Sequence, residues 1–116
     1  MADKILLKIR VTLRRDGFFE GHGFGRGIVL LLEGIERNGS LYSTTNELGM
    51  AYSKAWRILH MTEKEFGINL VNRDGARGST LTEEGHQFLA HFKEIEDAAY
   101  NAAKNVFDKY FNNDIA

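Results

Sequence analysis

The spacing of hydrophobic positions shifts several times along this chain, and each shift predicts a new element. Over residues 4–15, Ile5, Leu7, Ile9, Val11 and Leu13 alternate with Lys8, Arg10 and Arg14, with Leu6 breaking the pattern. Period two with β-branched residues predicts a half-buried strand. Asp16-Gly17 then signals a turn, and Gly21, Gly23, Gly25 and Gly27 alternate through a second short strand or a tight loop. From residue 26 the period becomes helical: Ile28, Leu31, Leu32 and Ile35 share one face, and Asn38-Gly39 ends the helix.

Ser40 is placed to cap a second helix over 41–48, with Leu41, Thr45 and Leu48 inward and Gly49 closing it. A third helix is predicted over 52–66. Ala55, Leu59, Thr62 and Phe66 form its inward stripe, Trp56 and Ile58 flank that stripe, and Ser53, Lys54, Arg57, Met61 and Lys64 face out. Ile68, Leu70 and Val71 lead like a strand into a hairpin rich in Gly and Arg, Asn72-Arg73-Asp74-Gly75-Ala76-Arg77-Gly78-Ser79. Thr82 can cap a last helix with Glu83 and Glu84 in its first turn, and no strong breaker follows before Asn112-Asn113. About 30 helical residues make roughly 45 Å. Along it Phe88, Phe92, Ile95, Ala99, Ala102 and Val106 step alternately by four and three, a heptad seam. A helix that long cannot bury both ends on so small a domain, so part of it is expected to dimerise against a second copy.

The expected fold class is mainly α with small β: a winged helix-turn-helix with an N-terminal strand and a long C-terminal dimerisation helix. The head occupies 1–81 and the final helix 82–116. Two helices at a steep angle, the second with cations outward, make a device for the DNA major groove. The arginine-bearing hairpin then serves as a wing on the phosphate backbone.

Composition narrows the choice. The 116 residues allow one domain with a modest core, and an apolar share of 43% argues against disorder. With no cysteine, disulfides, thiol catalysis and Cys-based zinc sites are all excluded. The longest apolar run, 28–32, is too short for a bilayer, and Asp3, Lys4 and Lys8 spoil a signal peptide, so a cytoplasmic location with no membrane contact is the default. Charge is divided: twelve Lys and Arg face nine Asp and Glu through residue 81, and three face seven beyond it. The balances of +3 and −4 give the net −1 and suit a phosphate-facing front with a protein-facing tail.

Three stretches resemble the DNA-binding domain of the molybdate-responsive (ModE-type) regulators, relatives of the LysR-type winged-helix heads. They are Leu31-Leu32-Glu33-Gly34-Ile35 with Gly39-Ser40-Leu41, then Leu48-Gly49-Met50-Ala51-Tyr52-Ser53-Lys54-Ala55-Trp56, and Leu81-Thr82-Glu83-Glu84-Gly85. The resemblance covers about residues 5–95 and implies a stand-alone form of that head. The family's full-length members carry oxyanion-binding domains for which this chain leaves no room, so molybdate binding is not expected. Local departures include Ala51 where a capping serine is usual, Ser53 where a basic residue is common, and Asn69 in place of proline.

Double-stranded DNA is therefore the expected partner, in a sequence-specific transcriptional regulator acting as a homodimer. The alternative is the same fold used as a protein–protein interaction module, with the acidic final helix as its working surface. Lys54 and Arg57 stand where side chains reach base edges; Arg57 can fork onto guanine, and Ser53 can serve base or phosphate. Arg73 and Arg77 straddle the turn as backbone contacts. Ser43 and Thr44 can donate to phosphate or simply cap their own helix. Tyr52 is left between stacking on DNA and packing, whereas Trp56 is expected to pack. The glycine series fits no phosphate-loop pattern and is read as a close turn against the first helix. His22, His60, His86 and His91 lack ligand spacing, so no metal or other cofactor is expected. No catalytic residues are expected either, because no Ser/His/Asp set sits on a recognisable motif and the carboxylates look like helix-surface charge.

Overall fold

Four helices and one short hairpin form the described part of the chain, residues 4–73 and 78–111 of a computed structural model. The first helix, α1, is Arg26–Asn38, and its buried Ile28, Val29, Leu31, Leu32 and Ile35 make the floor of the core. Gly39 ends it in the left-handed region, φ 70°, where glycine carries no Cβ penalty. Helix α2, Leu41–Leu48, starts on Ser40, whose Oγ accepts from the Ser43 N–H at 2.8 Å. Helix α3, Tyr52–Phe66, follows after the left-handed Gly49. Each boundary falls within one residue of the position the caps and periods predicted.

Strands β1, Val71–Arg73, and β2, Ser79–Leu81, pair antiparallel with Val71 opposite Leu81. The Ser79 N–H donates to the Gly39 carbonyl at 2.8 Å, which seats the hairpin at the C-terminal end of α1. The predicted turn over 74–77, Arg77 included, lies outside the described residues. Helix α4, Glu83–Tyr110, begins on Thr82, whose Oγ1 accepts from the Gly85 N–H at 2.8 Å and donates to the Asn69 carbonyl at 2.6 Å. Its 28 residues span about 42 Å.

The N-terminal stretch departs from expectation. It runs extended, but Leu13 and Phe24 form a single antiparallel bridge, and no strand is present in residues 4–25. Its start lies beside the far end of α4, where residues 4–8 share a groove with Tyr100, Phe107 and Phe111. Period two predicted the extended backbone correctly. It could not predict a ladder, since a strand also needs a neighbour with matching free backbone groups.

The heptad seam is divided as well. Phe92 is fully buried within its own chain and Phe88 is partly so. Phe24 lies 4.5 Å from Phe88 and 5.1 Å from Phe92 between ring centroids, with Phe66 completing the cluster. These two seam positions are therefore core residues of the head and are not free for a second copy. Ile95 and Val106 stay 44% and 53% exposed, and Tyr110 73%, so the outer part of α4 leaves an apolar face uncovered by this chain.

Candidate nucleic-acid interface

The outward face of α3 is the centre of the site. Ala55 and Leu59 are fully buried against α1, which turns Ser53, Lys54, Arg57 and Lys64 to solvent. Ala51 at the N-cap provides no side-chain hydrogen bond, as its methyl group requires. Lys54 and Arg57 are one turn apart and, among the described residues, their side chains have no hydrogen-bond or ion-pair partner. Two desolvation-free cations on an exposed helix face can meet base edges or phosphates without first breaking an internal bond.

The remaining sequence-derived candidates divide. Ser43 is exposed at the start of α2, but its neighbour Thr44 is fully buried. Thr44 Oγ1 donates to the Ser40 carbonyl at 2.8 Å and packs on Gly34, where a Cβ would collide with it. Thr44 is thus a packing residue and cannot reach a phosphate. Tyr52 is 48% exposed and faces Tyr42 across 6.4 Å between centroids. Trp56, expected to pack, is 47% exposed and lies against the His60 ring at 3.7 Å, because the stripe it borders is already filled by Ala55 and Leu59. Of Arg73 only the backbone, in β1, is described, and Arg77 lies outside the described residues.

Two carboxylates read from sequence as surface charge are in fact buried, and each fastens a flank to α3. Glu63 Oε2 accepts from the Leu70 N–H at 2.7 Å and the Val71 N–H at 3.4 Å, fixing the root of the hairpin. Glu65, fully buried, accepts from the Arg15 N–H at 3.0 Å, the Gly23 N–H at 3.0 Å and the Arg14 Nε–H at 2.9 Å. Burial pushes the Glu65 carboxyl up, but these donors outweigh it and hold the group below the ordinary glutamate range. The glycines belong to this device: a Cβ on Gly21 would strike the Glu65 carboxylate, and Gly23 sits at φ 77° against the Leu13 carbonyl. They close the chain around Glu65 more than against α1. The one available signal was a Glu-x-Glu at a helix end in a chain with small, alternating glycines elsewhere, which names no pairing.

A cleft of about 510 Å³ opens between this fastened segment and α3. Ile28, Ile58 and Met61 line it together with Arg10, Arg26, Lys54 and Arg57.

Comparison with known proteins agrees with this geometry. The profile of the bacterial regulatory helix-turn-helix protein, lysR family, matches residues 29–86, which take in most of α1, all of α2 and α3, and the hairpin strands. The chain belongs to the LysR family. Over 61 residues it is 36% identical to the HTH-type transcriptional regulator CrgA of Neisseria meningitidis, in serogroup C strain 8013 and in serogroup B strain MC58 alike. That alignment takes in 53% of this chain and 20% of CrgA, so the chain spans about a fifth of these relatives. In fold it is similar to the crystal structure of the CbnR_DBD-DNA complex, with TM-score 0.55 and 22% identity over 67% of this chain and 88% of that one. The LysR match begins at residue 29, so the segment held by Glu65 lies outside the matched residues.

Proposed function

We propose that the chain is the DNA-binding head of a dimeric, cytoplasmic transcriptional regulator that performs binding without catalysis. One observation carries this reading: in a LysR-type helix-turn-helix, the helix that would enter the groove presents Lys54 and Arg57 outward, with no partner among the described residues. Helix α3 lies in the major groove, with Arg57 and Lys54 at base edges and Ser53 or Tyr52 at base or sugar. Ser43 donates to phosphate, and Arg73 and Arg77 of the wing grip the backbone. Ile95, Ala99, Ala102 and Val106 join two copies and set half-sites about 34–36 Å apart. Within the LysR family, the stretch from Leu48 to Trp56 supports kinship with the molybdate-responsive heads; the ligand of these residues is DNA, and calorimetric titration with molybdate is expected to give no heat.

Selection from randomised duplexes followed by gel shift tests the assignment. Arg57→Ala is expected to relax base choice at one position by roughly 1–3 kcal/mol, leaving others unchanged. An unaltered selection profile would remove Arg57 from base readout. The acidic outer part of α4 favours a second reading, a protein-binding module. Binding to DNA that does not weaken as salt rises, or no binding at low salt, would support that second reading.

A further inference from the structure

The cleft beside α3 gathers cations without a lining carboxylate. Arg14, Arg37, Lys64, Lys93 and Lys104 each meet a carboxylate. Arg10, Arg26, Lys54 and Arg57 meet none among the described residues, and no Asp or Glu lines the cleft they surround. Four like charges about one concavity raise the local positive potential and hold anions there. The bland alternative is four independently solvated side chains. Against it stands the construction: buried Glu65 holds residues 14, 15 and 23 to α3, and Arg10 and Arg26, which flank that fastened stretch, line one cleft with Lys54 and Arg57.

Position identifies the anion. The cleft runs along α3 from Lys54 to Met61, so it borders the face that the proposed function places in the major groove. It also stands at the first residue of α1, whereas the hairpin is seated at the far end of α1 on Gly39. Thirteen residues separate those ends by about 20 Å. A major groove about 12 Å wide, with a backbone on each side, is of that scale.

We infer that residues 4–25 are a second phosphate grip, in which Arg10 and Arg26 hold the DNA backbone on the side of the groove opposite the wing. The inference rests on the DNA-binding reading but adds contacts outside the residues matched to the LysR family. The grip adds affinity without base preference, because phosphates carry no sequence information.

The test is the dependence of binding on salt, measured by fluorescence anisotropy with a random-sequence duplex. Arg10→Ala and Arg26→Ala are each expected to lower the slope of log K against log salt by about 1, and the double variant by about 2. Both side chains are exposed and have no partner among the described residues, so the melting temperatures should stay unchanged, and Arg10→Lys should keep the parental slope. If the parent binds DNA with a steep slope and Arg57→Ala weakens it, while both extension variants keep the parental slope, this inference fails and the DNA-binding reading survives. If the parent does not bind DNA at low salt, both fail together. Saturable binding of tripolyphosphate that Arg10→Ala abolishes, with an unchanged DNA slope, would assign the cleft to a free anion and also overturn the grip.

Discussion

The two stretches flanking the LysR match both carry regular apolar spacing, yet they end in opposite situations. Within residues 4–25 the apolar positions of 4–15 repeat every two, and the segment is drawn onto the head by one buried carboxylate, Glu65, and one buried ring, Phe24. The outer part of α4 repeats every seven-residue heptad and has no comparable fastening, so Ile95, Val106 and Tyr110 remain in solvent. The stretches meet at the base of α4, where Phe24 packs on Phe88 and Phe92, and residues 4–8 share only an open groove with its far end. Periodicity therefore announces a face and its geometry. What covers that face depends on polar anchors elsewhere in the chain.

The strongest way to break this contrast is Phe24→Ala, which empties the junction of both stretches. Truncating a fully buried Phe costs about 3–5 kcal/mol, and chemical denaturation should show that loss in one cooperative transition. A smaller loss would mean that the extension is loosely attached.

Glu65 comes next. Glu65→Ala strands the Arg15 and Gly23 N–H groups, each worth about 1–3 kcal/mol when left without an acceptor, so a loss of at least about 2 kcal/mol is expected. The effect of pH has a definite sign. The folded carboxyl titrates below its unfolded value, so its contribution is complete above about pH 4.5 and disappears as pH falls through the lower folded value. Acid unfolding followed by circular dichroism should be shallower in Glu65→Gln than in the parent. Equal acid profiles would show that the carboxylate is not the anchor.

The smallest effect on folding belongs to the outer part of α4. Val106→Glu alters an exposed position and should change stability by no more than about 0.5 kcal/mol. Sedimentation should nevertheless move from dimer toward monomer if this face joins two copies. A monomeric parent would dispose of the seam.

Legibility followed the range of the interactions. The positions of α2 and α3 could be read from Ser40, Gly49 and the stripe of Ala55, Leu59 and Thr62, because caps and helical faces involve residues three or four apart. The exposure of Lys54 and Arg57 came from the same stripe. Thr44 was misread because Ser and Thr near a helix start serve capping, packing or phosphate equally well, and the decision lay with the absent side chain of Gly34. Trp56 was misread because the core beside it was already filled.

The sequence alone determined the order and bounds of the helices, the hairpin after them, and the two cations that α3 turns outward. Tertiary structure alone decided that Phe88 and Phe92 belong to the head, that residues 4–25 pair as a single bridge, and that Glu63 and Glu65 are buried anchors. The physical reason is separation along the chain. Glu65 bonds partners 42 to 51 residues away, and a carboxylate so placed is indistinguishable from surface charge until the donors that neutralise it have been brought together.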